Sequence, residues 1–259
     1  MPSPREELSA LLCLLNLSAM AQAVETSALR AAREGISHEA FLLELARIEQ
    51  AAKTSRRIER LRKQSGLSPE KVFRNLELNR FDAATRMQME RLQSGAFLKD
   101  AINVVAIGRP GAGKSHFACA LGHALVDQGI AVLFSSTAAL MQRLLAAKRD
   151  LRLPQELAKL ERFECLILDD IGYVQHDRDE MEVLFTLLAE RYERKSVVIT
   201  TNLVFSEWER IFKDPMTTMA AIDRVVHHSV VLDLMAVESY RAKVAAKANA
   251  GAAKIAASA

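Results

Sequence analysis

The run Gly108-Arg109-Pro110-Gly111-Ala112-Gly113-Lys114-Ser115 carries glycine, lysine and a hydroxyl at the spacing G-x-x-x-x-G-K-[ST]. Its glycines let the chain curl so that successive backbone N–H groups face one point, at the start of a helix whose dipole favours an anion. Lys114 can reach the β- and γ-phosphates of ATP, and the Ser115 hydroxyl can ligate Mg²⁺. The ATP-binding stretch is read as Gly108 to His116, with ATP and Mg²⁺ as the implied cofactors. A β-rich run precedes the loop and an apolar helical run follows it, which is the context the motif requires.

Two further strand ends could complete the chemistry. Cys165-Leu166-Ile167-Leu168 leads into Asp169-Asp170. Adjacent carboxylates at a strand tip repel unless a cation lies between them and a substrate. Asp169 is expected to hold the Mg²⁺ shell, and Asp170 to orient the attacking water. Asp170 is one methylene shorter than the Glu that many hydrolysing P-loop proteins carry there. Val197-Val198-Ile199-Thr200-Thr201 leads into Asn202. Parallel strands end on one side of a sheet, so Asn202 is expected near the phosphates.

These residues need a sheet to hold them. Strand-like runs fall at 102–107, 131–135, 165–168, 197–200 and 230–232, with helical stretches at 116–127, 180–193 and 217–228 between them. The alternation predicts an α/β fold with a parallel sheet flanked by helices. Residues 5–64 read as helices alone: one from Arg5 to about Arg33, ending near Gly35, then a long one N-capped by Ser37. Ser65-Gly66 and Ser68-Pro69 break the pattern. The predicted organisation is therefore a small N-terminal helical domain (1–70), an ATPase domain (71–245) and a frayed Ala/Lys tail (246–259).

Of 259 residues half are apolar, the composition of a globular chain, and a net charge of +3 is too small to mark the whole surface for nucleic acid. Three well-separated cysteines, Cys13, Cys119 and Cys165, give neither a disulfide framework nor a metal set, and are expected to be buried and reduced in a cytoplasmic protein. Leu8 to Ala19 is apolar but follows Glu6 and Glu7, and is too short to span a bilayer. Leu8, Leu11, Leu12, Leu15 and Ala19 fall at helical spacing and are expected to pack inside the protein. Lys53, Arg56, Arg57, Arg60 and Lys63 form one helical stripe. The spacing fits a solvated face and a phosphate-tracking face equally. His227 and His228 have no acidic or cysteine partner at metal spacing in the sequence and read as helix-end surface residues.

Together with the loop, Leu168-Asp169-Asp170-Ile171-Gly172, the run from Thr200 to Trp208, Ile222-Asp223-Arg224-Val225-Val226-His227-His228 and Glu238-Ser239-Tyr240-Arg241 resemble the IstB family. These are AAA+ helper ATPases of insertion-sequence transposition, kin of DnaC-type helicase loaders, and the likeness extends over most of the chain. The resemblance implies an AAA+ fold that oligomerises on double-stranded DNA, deforms a target site and recruits or stimulates a transposase. It implies that Arg224 is an arginine finger reaching a neighbouring subunit's nucleotide, that Arg241 senses the phosphate of its own subunit, and that an Asp-Asp pair is normal at 169–170. It also favours DNA phosphate contact by the basic stripe. Val237 departs from the family's Gly-Glu-Ser-Tyr-Arg. A helicase loader shares nearly the same core, whereas a small-molecule P-loop kinase would need an Arg-rich lid, which the sequence lacks.

Overall fold

The computed structural model describes residues 3–172, 178–212 and 215–240. The chain forms two compact units, Met1–Arg60 and Leu61–Ala259, divided within a helix.

In the first unit, α1 (Pro4–Leu14) starts with a capping box in which Ser3 and Glu6 satisfy each other's backbone N–H groups. The helix expected over 5–33 is two helices. It breaks at Asn16, whose φ is +57°, and resumes as α2 (Ser18–Glu34), which ends on Gly35 in the left-handed region. Ser37 then caps α3 (His38–Gln64) through the Ala40 N–H. The apolar face expected inside the protein is mostly outside it: Leu12 is buried, whereas Leu8, Leu11 and Leu15 are exposed. The break at Asn16 turns α2 back along α1, where Arg5 pairs with Glu25 at 2.7 Å, and this packing leaves Leu8, Leu11 and Leu15 exposed. Cys13 is exposed as well, in contrast to the expected burial.

The second unit is built on a five-stranded parallel sheet in the order β2-β3-β4-β1-β5. The strands are β1 (Asn103–Gly108), β2 (Val132–Ser136), β3 (Cys165–Ile171), β4 (Ser196–Thr201) and β5 (Ser229–Leu234). The helices are α4 (Ala83–Gln93), α5 (Lys114–Asp127), α6 (Thr137–Arg149), α7 (Leu153–Leu160), α8 (Arg178–Arg191), α9 (Glu209–Phe212) and α10 (Pro215–Val226). Near-continuous apolar runs such as Val104-Val105-Ala106 can be fully buried because helices cover both faces. Alternation sorts the strands' side chains. Val105, Leu166, Leu168, Val197 and Ile199 join the core made with α6, α8 and α10, while Ile167 faces α5.

The segment in which Ser65-Gly66 and Ser68-Pro69 break the helical pattern is part of this unit. Leu61 and Leu67 are buried, and the Ser65 carbonyl accepts the Phe134 N–H at 2.7 Å. Arg191, 1% exposed, donates to the carbonyls of Leu160, Phe163, Glu164 and Ser196. It ties the end of α8 to the turn before β3 and the start of β4, and its desolvation pushes its pKa down. Burial pushes the Cys165 thiol up to about 12, so it is inert as a nucleophile.

Candidate functional site

Because all five strands are parallel, the loops after β1, β3 and β4 emerge at one edge of the sheet. Gly108 ends β1 and Lys114 begins α5, with the loop between them. Gly111 and Gly113 take φ of +82° and +101°, a region costly to any residue with a Cβ. A Cβ on Gly111 would also lie 2.1 Å from the Ser239 Oγ. No side chain caps α5, so its first N–H groups keep their capacity for an anion. Lys114 is 6% exposed, and its Nζ donates to the carbonyls of Gly108 (2.7 Å) and Arg109 (3.2 Å). Its ammonium is thereby held over the mouth of the loop. His116 Nε2 donates to the Val72 carbonyl at 3.0 Å, tying α5 to the chain before it.

Asp169 and Asp170 lie in an irregularity of β3, where pairing with β4 shifts between Leu168 and Ile171. Asp170 has φ +66°, strain of the kind that concentrates at working sites. Thr200 of β4 joins the two acids. Its hydroxyl donates to Asp169 Oδ1 at 2.6 Å and accepts the Asp170 N–H at 2.8 Å. Thr137 Oγ1 donates to the Asp169 carbonyl at 3.0 Å. Asn202 follows β4 at the same edge, half-buried, with no hydrogen-bond partner for its amide oxygen among the described residues. The geometry therefore gathers Lys114, Ser115, Asp169, Asp170 and Asn202 at one sheet edge.

A cleft of about 260 Å³ opens beside the loop. Gly111, Gly113, Lys114, Ser115 and His116 line one side, and Lys71, Asn75, Leu76, Glu77, Arg80 and Tyr240 complete it. The segment at 238–240 thus reaches the loop, as the Tyr240 N–H donating to the Gly111 carbonyl at 3.0 Å shows. Val237 does not adopt a positive φ, so the backbone there has no need of glycine. Arg241 lies outside the described residues.

Arg224 sits elsewhere. Asn103, at the start of β1, donates to the carbonyls of Arg224 and Val225, which fixes the end of α10 at the sheet edge opposite the loop. The Arg224 guanidinium lies 4.5 Å from the Phe185 ring centroid, and its buried Nη1 has no hydrogen-bond partner among the described residues. Its own chain does not bring it to Lys114. Of the two histidines that follow, His228 does have an acidic partner. Glu193 Oε1 lies 3.7 Å from His228 Nε2, a pairing the sequence hid because Glu193 comes from the turn before β4.

On α3, Lys53, Arg56, Arg57, Arg60 and Lys63 are all exposed. Arg56 is engaged within its own unit. It pairs with Glu49 at 3.1 Å and donates to the Ser18 hydroxyl and the Ala52 carbonyl. Sequence reasoning gave no role to Arg80, Thr200 or Glu49. Thr200 stood inside a quoted motif, whereas nothing local marks the other two.

The sequence pattern of the IstB-like ATP binding protein family matches residues 10–248. An insertion-sequence ATP-binding protein of Sinorhizobium fredii is 42% identical over 221 residues, 85% of this chain and 74% of the relative. The ATP-binding protein of insertion sequence IS21 from Pseudomonas aeruginosa is 35% identical over 243 residues, 94% and 91% of the two chains. Among solved structures, AMPPCP-bound DnaA from Aquifex aeolicus matches with a TM-score of 0.55 over 66% of this chain and 51% of that one, at 14% identity. DnaI matches with the same score over 65% and 95%, at 15% identity. These two likenesses establish the AAA+ fold.

Proposed function

Since the chain belongs to the IstB-like ATP-binding proteins of insertion-sequence transposition, we propose that it is an ATP-hydrolysing regulator that oligomerises on double-stranded DNA, deforms a target site and recruits or stimulates a transposase. The observation that carries the ATPase part is the convergence of the phosphate loop, the Asp169-Asp170 pair and Asn202 at one sheet edge, with Thr200 bonded to both acids. A cytoplasmic setting fits this role, and no helix among the described residues is long and apolar enough to cross a membrane.

The amides at the start of α5, from Gly113 to Ser115, and the Lys114 ammonium would receive the phosphates, with the nucleoside in the adjoining cleft. Ser115 and Asp169 offer the oxygen donors that suit Mg²⁺, which when bound neutralises developing charge on the phosphates. Thr200 holds Asp169 in a fixed orientation for that task. Asp170 would accept the proton of the attacking water, and Asn202 would position the water or the γ-phosphate. Arg224, remote from its own loop, would complete a neighbour's site, so turnover would depend on assembly. Arg241 would contact the phosphate of its own subunit, next to the 238–240 segment at the loop. The α3 stripe would follow the DNA backbone.

Lys114→Ala removes the main side-chain charge on the β- and γ-phosphates and is expected to abolish ATP binding. Equilibrium binding of a fluorescent ATP analogue measures this, and near-normal affinity in the variant would sink the assignment of the loop.

A further inference from the structure

We propose that Arg80 is a positioning residue of the nucleotide site, which holds the phosphate loop in its anion-accepting curl from the outside. The proposal rests on the ATP-binding reading above and adds a residue to it. Arg80 ends a short 3₁₀ turn, Leu78–Arg80, placed before α4 and far from the loop in sequence. Its Nη2 donates to the Gly111 carbonyl at 3.2 Å and also to the Glu238 carbonyl. Its guanidinium carbon lies 5.5 Å from the Tyr240 ring centroid. One planar group therefore joins three chain segments: the turn before α4, the phosphate loop and the stretch after β5.

The consequence follows from peptide geometry. In a trans peptide the Gly111 carbonyl and the Ala112 N–H face opposite ways. The carbonyl is held by two donors, Arg80 Nη2 and the Tyr240 N–H. With the carbonyl turned outward, the next amide must face into the loop, where the Ala112 N–H meets the Arg109 carbonyl at 3.1 Å. Gly111, at φ +82°, could otherwise sample several curls, because glycine has the widest choice of backbone conformations. Fixing the curl before the ligand arrives removes part of the ordering cost of binding. Arg suits the task because its rigid fork carries donors and no acceptor and can stack on an aromatic face, whereas Lys is a point charge.

Arg80 acts on the loop and not on the terminal phosphate, so its removal is expected to weaken ATP and ADP alike. In Arg80→Ala, both dissociation constants are expected to rise by the same factor, about tenfold, the scale of one charge-assisted hydrogen bond. Faster dissociation in stopped flow would account for the change, with the far-UV circular dichroism of the nucleotide-free chain matching the wild type. Arg80→Lys, which keeps the charge and loses the stack, is expected to recover part of the affinity for both nucleotides. If the Ala variant does not fold, the Lys variant carries the test alone, through an equal weakening of ATP and ADP by about threefold. Unchanged affinities in folded variants would overturn the proposal. So would a loss confined to ATP, since that marks a group touching the γ-phosphate. Wild-type protein that binds neither nucleotide would overturn the ATP reading itself, and Arg80's role with it. Nucleotide binding that is lost in Lys114→Ala but intact in Arg80→Ala would remove Arg80 alone.

Discussion

Asp170 combines an exposed carboxylate with a left-handed backbone, φ +66°, and an N–H tied to Thr200. That combination decides which substitution tests it. Ala would change the backbone as well as the carboxylate, whereas Asn tolerates the left-handed region and removes only the charge. Asp170→Asn is expected to bind ATP normally and to hydrolyse it about 10²-fold more slowly, the scale of losing a positioned base. Arg224→Ala is expected to bind ATP and fail to turn it over, for a different reason: Arg224 lies at the edge opposite its own loop. Mixing the two variants separates the cases. Subunits with intact Asp170 can be completed by neighbours with intact Arg224, so turnover is expected to recover in mixed oligomers. No recovery in demonstrably mixed assemblies would remove Arg224 from the neighbour's site.

Helix starts show how far local sequence reaches. α1 carries its own capping box, and α3 has Ser37, both visible in the sequence. α2 has no side-chain cap of its own at Leu17. Its first N–H groups are met by Glu49 from α3, which accepts Ala19 N–H at 2.8 Å and Met20 N–H at 3.0 Å. The Met20 hydrogen bond, with help from Ala19, Arg56 and Lys53, holds the Glu49 carboxyl below its usual range against the opposing effect of burial. A depressed folded-state pKa means that the carboxylate stabilises the fold fully above the ordinary Glu value, about 4.3, and that this contribution is lost as pH falls through the lower folded value. In Glu49→Gln an acceptor oxygen remains but the charge does not. The variant is expected to be less stable at neutral pH and to show a shallower loss of helicity on acidification than the wild type, read as urea midpoints by circular dichroism across acid pH. Parallel pH profiles for the two proteins would show that Glu49 contributes no charge-dependent cap.

For the whole molecule, a net charge of +3 means that the proposed attraction to DNA must come from local surfaces. Arg56 is engaged by Glu49, so the stripe is better tested through Arg57, Arg60 and Lys63, which have no ion-pair partner among the described residues. Each phosphate neutralised on duplex DNA contributes roughly −0.9 to the slope of log K against log salt. Replacing these three by Ala is expected to flatten that slope by about two to three units per subunit, equally for unrelated sequences, with ATP binding retained. An unchanged slope in a fluorescence-anisotropy titration would return α3 to a solvated role and move DNA contact elsewhere.

Periodicity and spacing along the chain already determined the five strands, the phosphate loop, the Asp-Asp pair and the α/β class. These depend on short-range rules: alternation of buried strand residues, glycine where the loop must curl, an apolar helix after it. What only tertiary structure decided came from residues distant in sequence. Thr200 reaches Asp169 across a strand pairing, Arg80 reaches Gly111 over 31 residues, and Glu49 reaches Ala19 over 30. The exposure of Leu8, Leu11 and Leu15 belongs here too. Helical spacing shows that these leucines share a face, but whether another surface covers that face depends on how the chain turns at Asn16. A side-chain hydrogen bond or a buried face is a property of the packed arrangement, and no single segment carries the information that fixes it.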